Sequence, residues 1–177
     1  LCSLAFLTAC DDDRDNNPTI QTPTTFVLNT PSYAQANVDL ATSESLAFSW
    51  SQPDYGFPAL ASYQIQVSPT NRWTKDIQAG EKDATDQAVG DYKTFDTEFS
   101  LVKGSVAANE MAKALQEIVR YEPNNVPASQ DVYVRVRAAY AGDTIYSNAV
   151  QIKVLPYYVK LKDAAIDVWY LIGGCIG

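Results

Sequence analysis

The stretch Val132-Tyr133-Val134-Arg135-Val136-Arg137-Ala138-Ala139-Tyr140 decides the fold. Val132, Val134, Val136, Ala138 and Tyr140 face one way, and Tyr133, Arg135 and Arg137 face the other. A period of two is the signature of a β-strand, because successive side chains point to opposite faces of the pleat. One apolar and one polar face suit an antiparallel sheet with a dry side and a wet side. The same alternation recurs along the chain. Phe26 and Leu28 share a face, as do Leu46, Phe48 and Trp50, then Tyr63, Ile65 and Val67, then Phe99 and Leu101. Val150, Ile152 and Val154 form the last such ladder, opposite Gln151 and Lys153. The interruptions at 53–58, 86–91, 122–127 and 141–143 are rich in Pro, Gly, Asn and Asp. Strands punctuated in this way predict an all-β fold, a β-sandwich.

One segment departs from that rhythm. Over 106–119, Met111, Leu115, Ile118 and Val119 fall at helical spacing, with Ser105 as N-cap and Glu122-Pro123 as a stop. The expectation is one short inserted amphipathic helix, crossing between the sheets or covering one end.

Composition narrows the chemistry. The chain has 177 residues, 46% of them apolar and 19% charged, enough for a proper core. A net charge of -8 argues against nucleic acid or an anionic bilayer surface as partner. There is no histidine, which removes Ser-His-Asp and Cys-His catalysis and imidazole metal sites. Cys2, Cys10 and Cys175 have neither the paired spacing of a zinc site nor the even count of a disulfide framework. No metal, no cofactor and no catalytic residue is expected.

The ends of the chain read differently from its middle. Residues 1–9 carry no charge and match the end of the apolar region of a lipoprotein signal peptide. They are too few for a membrane-spanning helix, which needs ~20 apolar residues. Leu7-Thr8-Ala9-Cys10 fits the lipobox at every position, so Cys10 is expected to begin the mature chain and carry acyl groups. Each buried methylene contributes ~0.8 kcal/mol, so several chains on one cysteine anchor firmly. Behind it, Asp11-Asp12-Asp13-Arg14-Asp15-Asn16-Asn17-Pro18 is strongly acidic. Asp11, Asp13 and Asp15 have EF-hand spacing, but Asn16 replaces the required Gly and Thr22 the bidentate Glu, which argues against calcium. The plain reading is an extended, solvated tether. At the other end, Leu155-Pro156-Tyr157-Tyr158 looks like a junction, and Val168-Trp169-Tyr170-Leu171-Ile172-Gly173-Gly174 like the first strand of a truncated second β domain.

A sugar site needs an exposed aromatic face flanked by polar groups. Trp73, within the polar stretch 68–75, is the best candidate, followed by Tyr55 and Phe57. The competing reading is that Trp73 caps the sandwich edge while Tyr55 and Phe57 staple a loop to the core. Trp50 shares a face with Leu46 and Phe48 and belongs to the core. Glu81, Asp83, Asp86 and Asp91 could include a glycosidase acid pair. A polar loop without buried apolar neighbours has no means of raising a carboxyl pKa, so no enzyme is expected.

Several of these segments resemble a fibronectin-III/Ig-like domain. They are Leu46-Ala47-Phe48-Ser49-Trp50, the Tyr63 strand, the Val134-Arg135-Val136-Arg137-Ala138 core and Tyr146-Ser147-Asn148-Ala149-Val150. Val132 stands where that family usually has an inward tyrosine. Together with the lipobox, the helix before the Arg-Val-Arg strand and the final Trp-Tyr-Leu-Ile-Gly, the order of parts is similar to the N-terminal part of a SusE-type (SusE/SusF-like) outer-membrane lipoprotein of a Bacteroidetes polysaccharide-utilisation system. The resemblance runs from about Cys10 to the end and implies a domain plan. Residues 1–9 are the end of the signal peptide and 10–23 the tether. Residues 24–156 are the Ig-like domain, and 157–177 are a linker with the first strand of a carbohydrate-binding module. Asp11, Asp12 and Asp13 resemble the surface-export signal of such lipoproteins. The resemblance also implies a non-catalytic, cell-surface, glycan-binding lipoprotein, capturing starch or a related polysaccharide beside a TonB-dependent transporter. Its outer-membrane anchor would face the extracellular side, and polysaccharide would be held mainly by downstream modules. The alternative is a structural or adhesive Ig-like surface lipoprotein with no glycan role.

Overall fold

The computed structural model describes residues 20–85 and 88–160. Cys10, the acidic run Asp11, Asp12 and Asp13, and the apolar segment from Val168 all lie outside them. So does Asp86.

The decisive stretch is a strand, β6 (Gln130–Tyr140), and the larger sheet is built around it. One edge of β6 pairs antiparallel with β3 (Ser62–Ser68), from Ser62 opposite Ala139 to Ser68 opposite Tyr133. Its other edge is shared by β7 (Asp143–Tyr146) and β8 (Val150–Leu155). Between them Ser147 bulges out of the ladder. Its backbone N–H donates to the Val136 carbonyl at 2.9 Å, and its Oγ accepts from the Val136 N–H at 2.9 Å. A short β4 (Lys93–Thr94) extends the sheet beyond β3, and β1 (Asn37–Asp39) closes the other side, parallel to β8.

The second sheet pairs β2 (Ser45–Ser49) antiparallel with β5 (Lys103–Ala107). Residues 26–29 run along β2, with Asn29 N–H donating to Ser49 O at 2.9 Å and Ser51 N–H to Val27 O at 2.8 Å. The core fills the space between the sheets. Leu46, Phe48 and Trp50 meet Tyr63, Ile65, Val67, Val132, Val134 and Val136 there, all buried. Each such aliphatic or aromatic side chain contributes ~1.5–3 kcal/mol by leaving water. The all-β sandwich with one helix is therefore the observed architecture.

The helix itself differs from expectation. It is α1 (Ala108–Val119), beginning where β5 ends; Val106 is a buried strand residue and Ser105 makes no cap. Ala107 occupies the cap position without a side-chain bond, and the Ala108 N–H is satisfied by the Glu44 carbonyl at 3.0 Å. Met111 and Leu115 are fully buried as the helical spacing predicts, but Ile118 is only half-buried and Val119 is exposed. Arg120, at φ 63°, ends the helix in the left-handed region, three residues before Pro123. The alternation assigned to Phe99 and Leu101 also fails. Phe99 is half-buried against Trp50, whereas Leu101 is 62% exposed. That segment is a crossing loop, and Phe99 lies so close over Gly104 that a Cβ there would stand 2.7 Å from its ring.

Two carboxamide side chains tie loose backbone to this frame. Asn148 accepts from the Leu28 N–H at 2.8 Å and donates to the Leu28 carbonyl at 3.2 Å. Gln116, on α1, does the same for Val159, accepting from its N–H at 2.8 Å and donating to its carbonyl at 3.1 Å.

Candidate functional site

Antiparallel register aligns the outward side chains of β6 with those of its neighbours. Arg135 faces Gln66 and Arg137 faces Gln64 on β3, while Arg137 also faces Tyr146 on β7. Arg135 donates its Nε–H to Gln66 Oε1 at 2.7 Å, and Arg137 Nη1 donates to Gln64 Oε1 at 2.7 Å. Gln66 in turn donates to Thr94 Oγ1 at 2.8 Å, and Thr94 donates its hydroxyl to Asp76. Asp76 also caps the short 3-10 turn Ile77–Ala79 by accepting from the Gln78 N–H. A continuous polar lattice thus crosses three strands, with Gln66 and Thr94 buried within it. Buried amides are stable only when satisfied in this way.

Aromatic rings close over the lattice. The Arg135 guanidinium carbon lies 4.2 Å from the Trp73 ring centroid and 4.0 Å from that of Tyr146, with Tyr92 at 5.6 Å. A planar guanidinium over aromatic rings gains cation–π attraction while keeping its edge for hydrogen bonds. Burial among those rings pulls the Arg135 pKa down, with Tyr146, Tyr92 and Asp91 acting in the opposite sense. Burial likewise raises the Tyr92 hydroxyl, reinforced by Asp76 and Tyr146.

The Trp73 loop is ordered by its own polar groups. Ser68 donates its hydroxyl to the Asp91 carbonyl at 2.7 Å, and Asp91 Oδ1 accepts from the Thr74 and Lys75 N–H groups. Asn71 adopts φ 57° and accepts from the Trp73 indole at 2.9 Å. Beside the stack is an open polar cleft of about 270 Å³, lined by Gln64, Asp76, Gln78, Thr94, Arg137 and Tyr146.

The aromatic candidates therefore separate. Trp73 is half-buried, with Arg135 stacked on it and Tyr92 tilted beside it at 5.7 Å. Tyr55 is buried at 3% exposure, its ring 4.9 Å from that of Tyr140, and so offers no free face. Phe57 is half-buried and meets the same Tyr140 ring edge-on at 6.0 Å, so the two staple the 53–58 loop to the core. Trp50 is core. Of the carboxylates, Glu81 pairs with Lys75, Asp83 with Arg120 at 2.8 Å, and Asp91 holds the Trp73 loop.

Sequence reasoning found Trp73 but missed its partners Arg135, Tyr92 and Tyr146. The signal lay in the polar positions of the decisive stretch, which read only as a wet face. It also missed a groove of about 710 Å³ on the outside of the smaller sheet, where Tyr33, Pro31 and Leu101 flank the small residues Ala47, Ser49 and Ser105. The Tyr33 hydroxyl donates to the Ala47 carbonyl there at 2.7 Å.

Residues 12–137 match the family model described as SusE outer membrane protein. The match runs from the acidic segment through β1 to β5, the Trp73 loop and α1 into β6 as far as Arg137, and stops short of β7 and β8. By that extent the chain belongs to the SusE outer membrane protein family.

Proposed function

We propose that the chain is the anchor and spacer part of a non-catalytic, cell-surface lipoprotein that captures starch or a related polysaccharide for uptake. Membership of an outer-membrane family named for SusE carries this reading. Cys10 is the lipidated residue, and Asp11, Asp12 and Asp13 direct the protein to the extracellular side. The sandwich is an Ig-like, fibronectin-III-like domain occupying residues 24–156. A large, mainly antiparallel sheet facing a smaller one supports this, as does a first strand that joins the last in parallel. Polysaccharide is held mainly by carbohydrate-binding modules downstream of residues 157–177, beside a TonB-dependent transporter. The domain's own ring stack supports the spacer role, because Trp73 is engaged by Arg135.

Cells carrying the protein should bind fluorescent starch, and deletion of the protein should lower that binding. Cys10→Ala should abolish acyl labelling. Neutralising Asp11, Asp12 and Asp13 together should keep the label but hide the protein from added protease. Unchanged starch binding in the deletion strain would contradict glycan capture, and continued protease access after neutralisation would reduce the acidic run to a tether.

A further inference from the structure

The last strand ends at Leu155, and the next residue, Pro156, lacks the N–H that would continue a ladder. The chain nevertheless stays on the domain. Tyr157, Tyr158 and Val159 pack against the core, and Val159 is bridged on both its N–H and its carbonyl by the single side chain of Gln116. That pair of bonds imitates one rung of a β-ladder, donated by a helix. The molecule uses the same device at its other end, where Asn148 brackets Leu28. There the bracketed strand is in the core, with Leu28 1% exposed. At Val159 the bracketed segment has no strand neighbour among the described residues, so the amide bridge and the packed tyrosines do the holding.

We infer that α1 is the element that fixes the direction in which the chain leaves the sandwich, with Gln116 as the positioning residue. The inference rests on the spacer reading of the domain, since a spacer with a fixed exit holds the downstream chain at a set angle. A loosely swivelling exit would lose that geometry. It also gives the inserted helix a purpose beyond covering one end of the core.

The test uses the 177-residue chain and limited trypsin digestion, reading cleavage after Lys160 against cleavage after Lys93 and Arg137 within the sheet. A protease needs several residues on the cleaved side to be extended and free, so 157–160 must leave α1 before the bond after Lys160 is cut. Gln116→Ala should speed that cut about tenfold while leaving the two sheet sites unchanged, and should abolish exchange protection of the Val159 amide. Gln116→Glu offers a finer readout. Its carboxylate accepts from the Val159 N–H but cannot donate to the Val159 carbonyl, so protection is partial at pH 7 and recovers as the carboxyl protonates near pH ~4. Equal acceleration at all three sites, or a Val159 amide that is unprotected in the parent chain, would overturn the inference. Unchanged cleavage after Lys160 in Gln116→Ala would do the same. Each readout is independent of starch, so loss of the glycan reading would leave the joint standing.

Discussion

The two faces of β6 are covered in opposite ways. Its inner side chains Val132, Val134, Val136 and Ala138 are fully buried among aliphatic and aromatic neighbours and make no polar contact of their own. Its outer side chains Arg135 and Arg137 are covered by a lattice of amides and a stack of rings. The inner face therefore draws its stability from area removed from water, which tolerates no charge. The outer face draws its order from directional pairs, each modest in net energy but fixed in geometry. An outer face this organised resembles a binding site in composition while being engaged mainly with itself.

The largest expected effect breaks the inner face. Val136→Asp places an unpaired carboxylate at a fully buried position and should cost more than about 4 kcal/mol, read as loss of the cooperative unfolding transition. A soluble, cooperatively unfolding variant would contradict the packing described. The next effect is set by alkali. Burial pushes the Tyr121 hydroxyl up to about 12, and it raises Tyr63 in the inner core and Tyr92 on the outer face in the same sense. The folded state thus holds these phenolic protons more tightly than the unfolded chain, whose tyrosines titrate near ~10. Their stabilisation is complete below pH ~10 and is lost as pH rises above it; for Tyr121 the loss runs to about 12 and amounts to about 2 kcal/mol once partial solvent screening is allowed for. Denaturant melts across that window check it, and a midpoint flat to pH 12 would refute it.

Breaking the outer face should cost less. Arg135→Ala removes the stacked cation and leaves Gln66, itself buried, without its donor, for about 2 kcal/mol. Arg135→Lys keeps the charge but loses the planar stack and should recover only part of that. Smallest is Tyr146→Ala, at under about 1 kcal/mol, because Tyr146 is 41% exposed and the Trp73 ring still lies 4.2 Å from the guanidinium. If Tyr146→Ala proved as costly as Val136→Asp, the contrast between the faces would collapse.

Legibility in the sequence divides along the same line. Area burial leaves a periodic trace, so β6, β2, β3 and β8 and the core role of Trp50 were legible from alternation, and the core role of Leu115 from helical spacing. The boundary between β5 and α1 was not legible, because Val106 fits both a strand and the first turn of a helical stripe. Phe99 and Leu101 misled for the opposite reason. Their spacing is that of a strand, yet only Phe99 turns inward, over a glycine that leaves it room. Short edge strands such as β1 and β4 gain their hydrogen bonds from distant partners and show no period of their own. At the candidate site Trp73 was visible as an aromatic in polar surroundings, but its stacking on Arg135 depends on strand register and loop closure. Gln116 was invisible, since a glutamine on a helix looks like any solvated position until the segment it holds is placed beside it.

The central claim is that the sandwich is a spacer whose aromatic stack is structural. It is tested most directly by affinity electrophoresis of residues 18–160 in starch-containing gels, beside the Trp73→Ala variant. The spacer assignment expects both to migrate as they do without starch, with Trp73→Ala lowering only stability. Retardation of the parent domain that Trp73→Ala abolishes would contradict it and make the stack a glycan platform.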